Sequence, residues 1–160
     1  MTAIYLLKKG DLMKYTLEHV TDKPGLWEHS DPVRPELGIK FKTSLGRGVF
    51  GLLGEDGSWK AFLCYARTFL IPKNVKELDE FTREDGNIII PYTVWSNEKG
   101  AGRTIINEVL REISKTLSDV DRVVTLSPQT TMARKFHLRN QAWEFRVNDA
   151  TVNFEYKVGK

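Results

Sequence analysis

The stretch from Asn87 to Leu117 limits the fold of this chain more than any other. It begins with Asn87–Trp95, in which Ile88, Ile89 and Ile90 follow one another without a polar residue between them. A run that does not alternate suits a strand covered on both faces. A polar turn with two glycines follows, Asn97–Gly102. Then the period changes. Ile105, Ile106, Val109, Leu110, Ile113 and Leu117 recur at helical spacing, with Asn107, Glu108, Arg111, Glu112 and Lys115 between them. Arg103–Leu117 therefore reads as an amphipathic helix. Strand, glycine turn and helix form one unit, and that unit belongs to an α/β domain.

The other segments can be placed around it. Residues 2–8 read as a strand, and Asp11 caps an expected helix through Val20. Residues 22–46 are rich in Pro, Gly and charge and read as loop with one short helix. Strands are expected over Val49–Leu53 and Trp59–Leu70, joined by Glu55-Asp56-Gly57-Ser58, where Asp-Gly is a hairpin signal. Ile71-Pro72 ends the second of them. Residues 73–86 are polar and acidic, with a short helix. Val120–Leu126 is the next strand. Thr130 or Thr131 caps a second helix in which Met132 and Phe136 share a face. Strands over Trp143–Arg146 and Val152–Val158 finish the chain. No repeat or linker interrupts it, and 160 residues suit a single domain over 1–160.

Composition narrows the class of ligand and compartment. Hydrophobic residues make up 41%, enough for a core, and the net charge of +3 suits an anionic ligand such as a nucleotide cofactor. That charge is too small to argue for nucleic acid. Cys64 is the single cysteine, so no internal disulfide can form and a reducing compartment is expected. Lys8, Lys9, Asp11 and Lys14 interrupt the apolar residues near the start, unlike a secretion signal. No apolar run approaches the roughly 18 residues of a membrane helix. The expectation is a soluble, cytoplasmic protein with no membrane partner.

The glycine turn carries the first chemistry. A helix N-terminus offers unpaired N–H groups and the positive end of the helix dipole, which together attract anions. Gly100 and Gly102 let backbone approach a phosphate, and Lys99 and Arg103 add charge beside it. A plain strand-to-helix turn would look the same. A dinucleotide fingerprint would need a third glycine where Ile105 stands, and a nucleotide-triphosphatase loop would need Lys after the glycine, whereas Lys99 precedes it. No Cys/His cluster has metal-ligand spacing, so no metal is expected.

Two resemblances give this pattern a name. Asn97-Glu98-Lys99-Gly100-Ala101-Gly102 resembles the Gln/Arg-x-x-Gly-x-Gly/Ala signature of the GNAT superfamily of acyl-CoA N-acyltransferases. Ala133 through Ala142, with Phe136, His137 and Gln141, resembles that family's later helix, Ala-x-x-Leu-Tyr-x-x-x-Gly-Phe. The likeness covers about residues 45–145. It implies a mixed central sheet with splayed fourth and fifth strands, flanked by helices. It also implies acetyl-CoA or another acyl-CoA as co-substrate. The pyrophosphate would lie on Asn97, Lys99, Gly100, Ala101, Gly102, Arg103 and Thr104. Backbone groups near Tyr92 and Val94 would bond the pantetheine amides. His137 stands where the family often has a tyrosine that protonates the departing thiolate, a task open to a group with a reference pKa near 6.5. Asn97 departs from the usual Gln or Arg.

The last third also resembles malonyl-CoA decarboxylase, in Thr125-Leu126-Ser127-Pro128, in Phe136-His137-Leu138-Arg139-Asn140, and in the tail through Arg146, Asn148 and Asn153–Tyr156. That resemblance implies catalytic roles for Ser127 and His137. Gln141 in place of Gly and a missing insertion between the two phrases depart from it. Ser127 before Pro128 also has the look of a helix cap.

Three readings follow. The favoured one is transfer of an acetyl group to an unidentified amine, on a small molecule or a protein, with residues 22–46 forming part of the acceptor's site. Glu80, Glu84 and Asp85 are the acids nearest the relevant strand, and none stands out as the base. The second is decarboxylation by Ser127 and His137. The third is a non-catalytic domain kept for binding or assembly, and pairing of the chain with a second copy as a homodimer is left open under all three. Helix geometry separates the first two: a helix starting at Pro128 would carry His137 about 13 Å along its axis, whereas one starting near Thr131 lets the loop fold back.

Overall fold

The computed structural model describes residues 2–8 and 11–159. Among them, nine strands form one sheet: β1 (Thr2–Lys8), β2 (Asp11–His19), β3 (Arg47–Gly54), β4 (Trp59–Thr68), β5 (Ile88–Ser96), β6 (Arg122–Val124), β7 (Ser127–Pro128), β8 (Trp143–Val147) and β9 (Thr151–Tyr156). They lie in the order β1-β2-β3-β4-β5-β6-β9-β7, with β8 on β9. The helices are α1 (Ile39–Thr43), α2 (Val75–Phe81), α3 (Ala101–Thr116) and α4 (Thr131–Arg139). Pro24–Leu26 adds one 3-10 turn.

One expected element is corrected. Residues 11–19 form a strand, not a helix. Tyr15 and Leu17 are buried while Lys14 is exposed, and Tyr15 pairs with Gly54 and Leu17 with Leu52. That alternation is the period of a half-covered strand, and Asp11 opens it rather than capping a helix. The strands that part are consequently the fifth and sixth of this chain, where the resemblance numbered them fourth and fifth.

The hairpin between β3 and β4 closes as its residues predict. Asp56 Oδ1 accepts from Ser58 N at 3.0 Å, and Gly57 takes φ +84, a left-handed conformation that suits glycine. The two layers of core sit on opposite faces of the sheet. Ile105, Ile106, Val109 and Ile113 of α3 pack on Leu52, Leu63, Ile89 and Val123. On the other face Ile88, Ile90, Tyr92, Val124 and Leu126 are covered by Trp27, Phe41 and Leu78. The Ile88–Ile90 run is thus buried from both sides. The segment over 20–46 is the lid of the second layer, pinned by Trp27 Nε1 donating to Val20 O at 2.9 Å.

Most pairings are antiparallel, but β5 and β6 run parallel. They share only two rungs, Ile88 with Arg122 and Ile89 with Val123. One more bond, Leu126 N to Pro91 O at 3.1 Å, ties them before they part. β6 stops at Val124, shorter than the predicted strand, and Ser127-Pro128 is strand rather than helix cap. The cap of α4 is Thr130, whose side chain accepts from Ala133 N at 3.1 Å.

Candidate active site

At the turn before α3, Gly100 is the N-cap, with φ +87, a conformation costly to other residues. Thr104 donates from both its N and its Oγ1 to Gly100 O, each at 3.2 Å. Asn97 is fixed to β4: its Nδ2 donates to Trp59 O at 3.1 Å and its N to Lys60 O at 2.7 Å. Its amide therefore holds the turn in place. Lys99 and Arg103 are exposed, while Ala101 is buried. Gly102 faces α4, where a Cβ would stand 3.1 Å from the Phe136 ring.

Between the parting strands lies a cleft of about 320 Å³. Pro91–Ser96 of β5 form one wall, which includes Tyr92 and Val94. Ser127 and Pro128 face them, Gly102, Phe136 and His137 close the α3–α4 side, and Pro32 and Val33 of the covering segment reach the other end. The lining is mainly apolar, as is usual for a small-molecule cleft.

Ser127 and His137 meet inside it. Ser127 Oγ and His137 Nε2 are 3.1 Å apart and both residues are buried. The helix starts at Thr131, so the loop after Pro128 folds back and brings the imidazole to the strand end. His137 Nδ1 lies 2.7 Å from the Tyr156 hydroxyl of β9, and Ser127 Oγ donates to Thr125 Oγ1 at 2.8 Å. Phe154 stacks on the imidazole, ring centres 5.0 Å apart. Burial lowers the His137 pKa from its ordinary value to about 4, so the ring is neutral in the empty cleft at neutral pH. Burial also pushes the Tyr156 phenol up, and it keeps its proton. A phenol donating to Nδ1 puts the imidazole proton on Nε2, aimed at Ser127. The result is a buried line of polar groups, Tyr156–His137–Ser127–Thr125.

Tyr156 and Thr125 carry no role in the sequence reading. Tyr156 stands two residues beyond the buried Phe154 on β9, and only pairing across the sheet brings it to α4. The other candidates lie elsewhere. Glu80, Glu84 and Asp85 are exposed and outside the cleft lining. His19 stacks on Phe50 at 4.1 Å, and His29 is on the surface beside Glu28. Cys64 is buried, its thiol pushed up by burial.

A second feature escaped the sequence. Asp31, buried, receives Lys42 Nζ at 2.8 Å, Thr93 Oγ1 at 2.9 Å and the N–H groups of Val33 at 2.8 Å and Arg34 at 3.0 Å. Both side chains of the Asp31–Lys42 pair are 2% exposed. This knot holds residues 31–34 against β5 and delivers Arg34 to the strand gap: Nη2 donates to Leu126 O at 3.1 Å and Nε to Tyr92 O at 3.4 Å.

Among the described residues no group of three or more His, Cys, Asp and Glu could hold a metal ion, and no helix is long and apolar enough to cross a membrane. No protein-family model matches the chain, and no curated protein matches it in sequence. Solved structures do match in shape. The GphF GNAT-like decarboxylase, in complex with isobutyryl-CoA, superposes with a TM-score of 0.67 at 16% identity, covering 89% of this chain and 99% of that one. Malonyl-CoA decarboxylase from Agrobacterium vitis gives 0.56 at 20% identity over 76% of this chain, which spans only 35% of that enzyme. The N-acetyltransferase PseH of Campylobacter jejuni, in complex with acetyl coenzyme A, gives 0.57 at 13% identity over 89% of this chain and 98% of that one. The chain therefore has the GNAT fold: α/β, with a mixed sheet flanked by helices, as the signature at 97–102 implies.

Proposed function

We propose that the protein is an acyl-CoA-dependent enzyme that decarboxylates a malonyl-type thioester. The observation that carries this reading is the 3.1 Å contact of Ser127 with a buried His137 inside an apolar cleft. The CoA pyrophosphate lies on the turn at 97–104, where the N-terminal amides of α3 face it with Lys99 and Arg103 alongside. The pantetheine arm runs along β5 past Tyr92 and Val94 on the α3–α4 side of the gap, where no β6 rung pairs with them and Arg34 closes the opposite side.

The chemistry follows from the state of His137. Burial keeps the empty-site ring neutral. A thioester carrying a carboxylate brings a negative charge beside it, which raises its pKa, so a proton enters with the substrate. In an apolar cleft the carboxylate loses its hydration and its charge spreads as the C–C bond breaks. Carbon dioxide leaves, the electron pair becomes the enolate of the thioester, and the Ser127 hydroxyl bonds the enolate oxygen. His137 then gives its proton to carbon and returns to neutral. One proton is consumed for each carbon dioxide released.

Acyl transfer to an amine draws on the same CoA-binding half and on the fold shared with PseH. It fits the reacting half less well. A neutral acetyl group brings no charge to protonate His137, and a neutral imidazole is a weak acid toward a thiolate whose reference pKa is about 8.5. The deciding assay supplies malonyl-CoA without any amine and measures acetyl-CoA and carbon dioxide. Wild type is expected to form both, and Ser127→Ala and His137→Ala to form them roughly 100-fold more slowly or worse. No product from wild type, together with amine-dependent release of CoA from acetyl-CoA, would replace this reading with the transferase one.

A further inference from the structure

We propose that Arg34 is a stopper: it closes the gap between β5 and β6 from the face opposite α3 and α4, so that the cleft takes one acyl-CoA and admits no acyl acceptor through the sheet. The proposal rests on reading the cleft as an acyl-CoA site.

Its position is the first ground. The strands lose contact just after the Leu126 N to Pro91 O bond, and the guanidinium occupies the next place outward, bonded to the carbonyls of Tyr92 and Leu126. It spans the two strands as a missing rung would. The second ground is that it is locked there. The arginine side chain is 12% exposed, and the loop that carries it is held by the buried Asp31–Lys42 pair and by Thr93 of β5. Lys42 Nζ also lies within 3.5 Å of Arg34 O. The third ground is what adjoins it. Pro32 and Val33, the two residues before it, are themselves part of the cleft lining, so the strap and the cleft wall are one structure. The fourth is charge. Its ion-pair partner Glu36 stands 4.0 Å from Nη1 and is 59% exposed, a long and solvent-screened pair, so the closer bonds of the guanidinium are those to the neutral strand carbonyls. An arginine placed at that cost of desolvation, between two backbone carbonyls, fills space and ties strands.

The consequence is chemical. An amine or thiol must reach the face of the thioester carbonyl. On the α3–α4 side that space is taken by the CoA arm. The opening between the strands is the other approach, and Arg34 fills it. A decarboxylation needs no second substrate, so a closed back wall costs it nothing and keeps water from the enolate.

The test uses hydroxylamine as a small nucleophile with acetyl-CoA, reading acetyl hydroxamate and free CoA thiol. In the productive reaction the C–N bond forms as the thioester C–S bond breaks, and a proton from nitrogen ends on the departing sulfur. Wild type is expected to show the uncatalysed rate. Arg34→Gly is expected to raise hydroxamate formation at least tenfold, and added methylguanidinium, refilling the gap, to suppress it again. Arg34→Ala serves if the glycine variant does not fold. Hydroxamate formed by wild type above the uncatalysed rate overturns the stopper, and so does a folded variant that binds acetyl-CoA yet gains nothing. If neither variant folds, wild type at molar hydroxylamine decides: turnover overturns the proposal and its absence supports it. Malonyl-CoA decarboxylation is measured alongside. A wild type that decarboxylates and also makes hydroxamate loses only the stopper; one that does neither, with acetyl-CoA bound, loses only the decarboxylase reading.

Discussion

The glycine turn and the cleft beside it are built on opposite plans. The turn at 97–104 is exposed, continuous in sequence and made of backbone: Gly100 turns left-handed, Asn97 is stapled to β4, and the side chains it offers are Lys99 and Arg103. The reacting end is buried, discontinuous and made of side chains from three elements: Ser127 of β7, His137 of α4 and Tyr156 of β9. A phosphate is held by amides that any sequence possesses once the helix starts in the right place. Proton delivery needs particular atoms at particular distances, and burial sets their acidity. On the proposed reading the turn speaks for CoA in general, and only the buried side chains can name the reaction.

If that division is right, substitutions at the two ends should separate binding from turnover. The largest effect is expected at the reacting end. Ser127→Ala and His137→Ala should each lower the decarboxylation rate by roughly 100-fold or more, the usual range for a lost oxyanion donor and for a lost proton-transfer group. CoA should still raise the melting temperature of both variants; loss of that shift would mean the two ends are not separable.

Next in size is a dependence of stability on pH. Burial holds the folded pKa of His137 at about 4, below its ordinary 6.5. As pH falls through 6.5 the unfolded chain takes up the proton first, so stability is lost between there and about 4 and the loss levels off below. It should amount to roughly 3 kcal/mol. Urea titrations of wild type and His137→Gln at pH 7 and pH 4.5 check it: the glutamine variant should lack this component, and equal slopes in the two proteins would show that the ring is not buried neutral.

At the phosphate end, Gly102→Glu should abolish the stabilisation by CoA, which at 100 times the dissociation constant is about 2.7 kcal/mol. Its side chain would enter the anion site as a negative charge, and its Cβ would press the Phe136 ring at 3.1 Å. A CoA-induced shift as large as that of wild type would move the pyrophosphate off this turn. The smallest effect is expected for Tyr156→Phe. It removes one hydrogen bond to His137 Nδ1, worth about 1 kcal/mol or roughly fivefold. The rate should fall by about that factor with CoA binding unchanged, and the pH profile of the rate should shift. A fall as large as in His137→Ala would make the phenol a direct participant.

The same contrast explains what could be read before folding. The Ile88–Ile90 run, the α3 periodicity and the Asp56-Gly57 turn each act within a few residues, and each appears in the structure where its residues predict it. Residues 11–19 did not yield because Leu12, Tyr15 and His19 also fit helical spacing, and pairing with β3 decided for strand. Ser127 resembled a helix cap because it precedes proline, but the cap is Thr130, one of the two threonines the sequence offered for that role. The Asp31–Lys42–Thr93 knot joins residues 62 positions apart through a loop with no period, so nothing local announces Arg34.

The two-rung pairing of β5 with β6 leaves the middle of a nine-stranded sheet short of the bonds that would make it one stiff plate. Mechanically it is a seam, with the β1–β5 panel on one side and β6, β7, β8 and β9 on the other. It is sewn by two further backbone bonds (Leu126 N to Pro91 O and Asp121 N to Asn87 O), by Arg34, and at its rim by Arg146, Thr151 and Asn153 donating to carbonyls of residues 71–73. A guest lying along the seam and bonding the free edge of β5 would act as a spline between the panels. Amide exchange along Tyr92–Trp95 would then slow when the cleft is occupied, together with exchange in the parts of the β6–β9 panel that do not line the cleft.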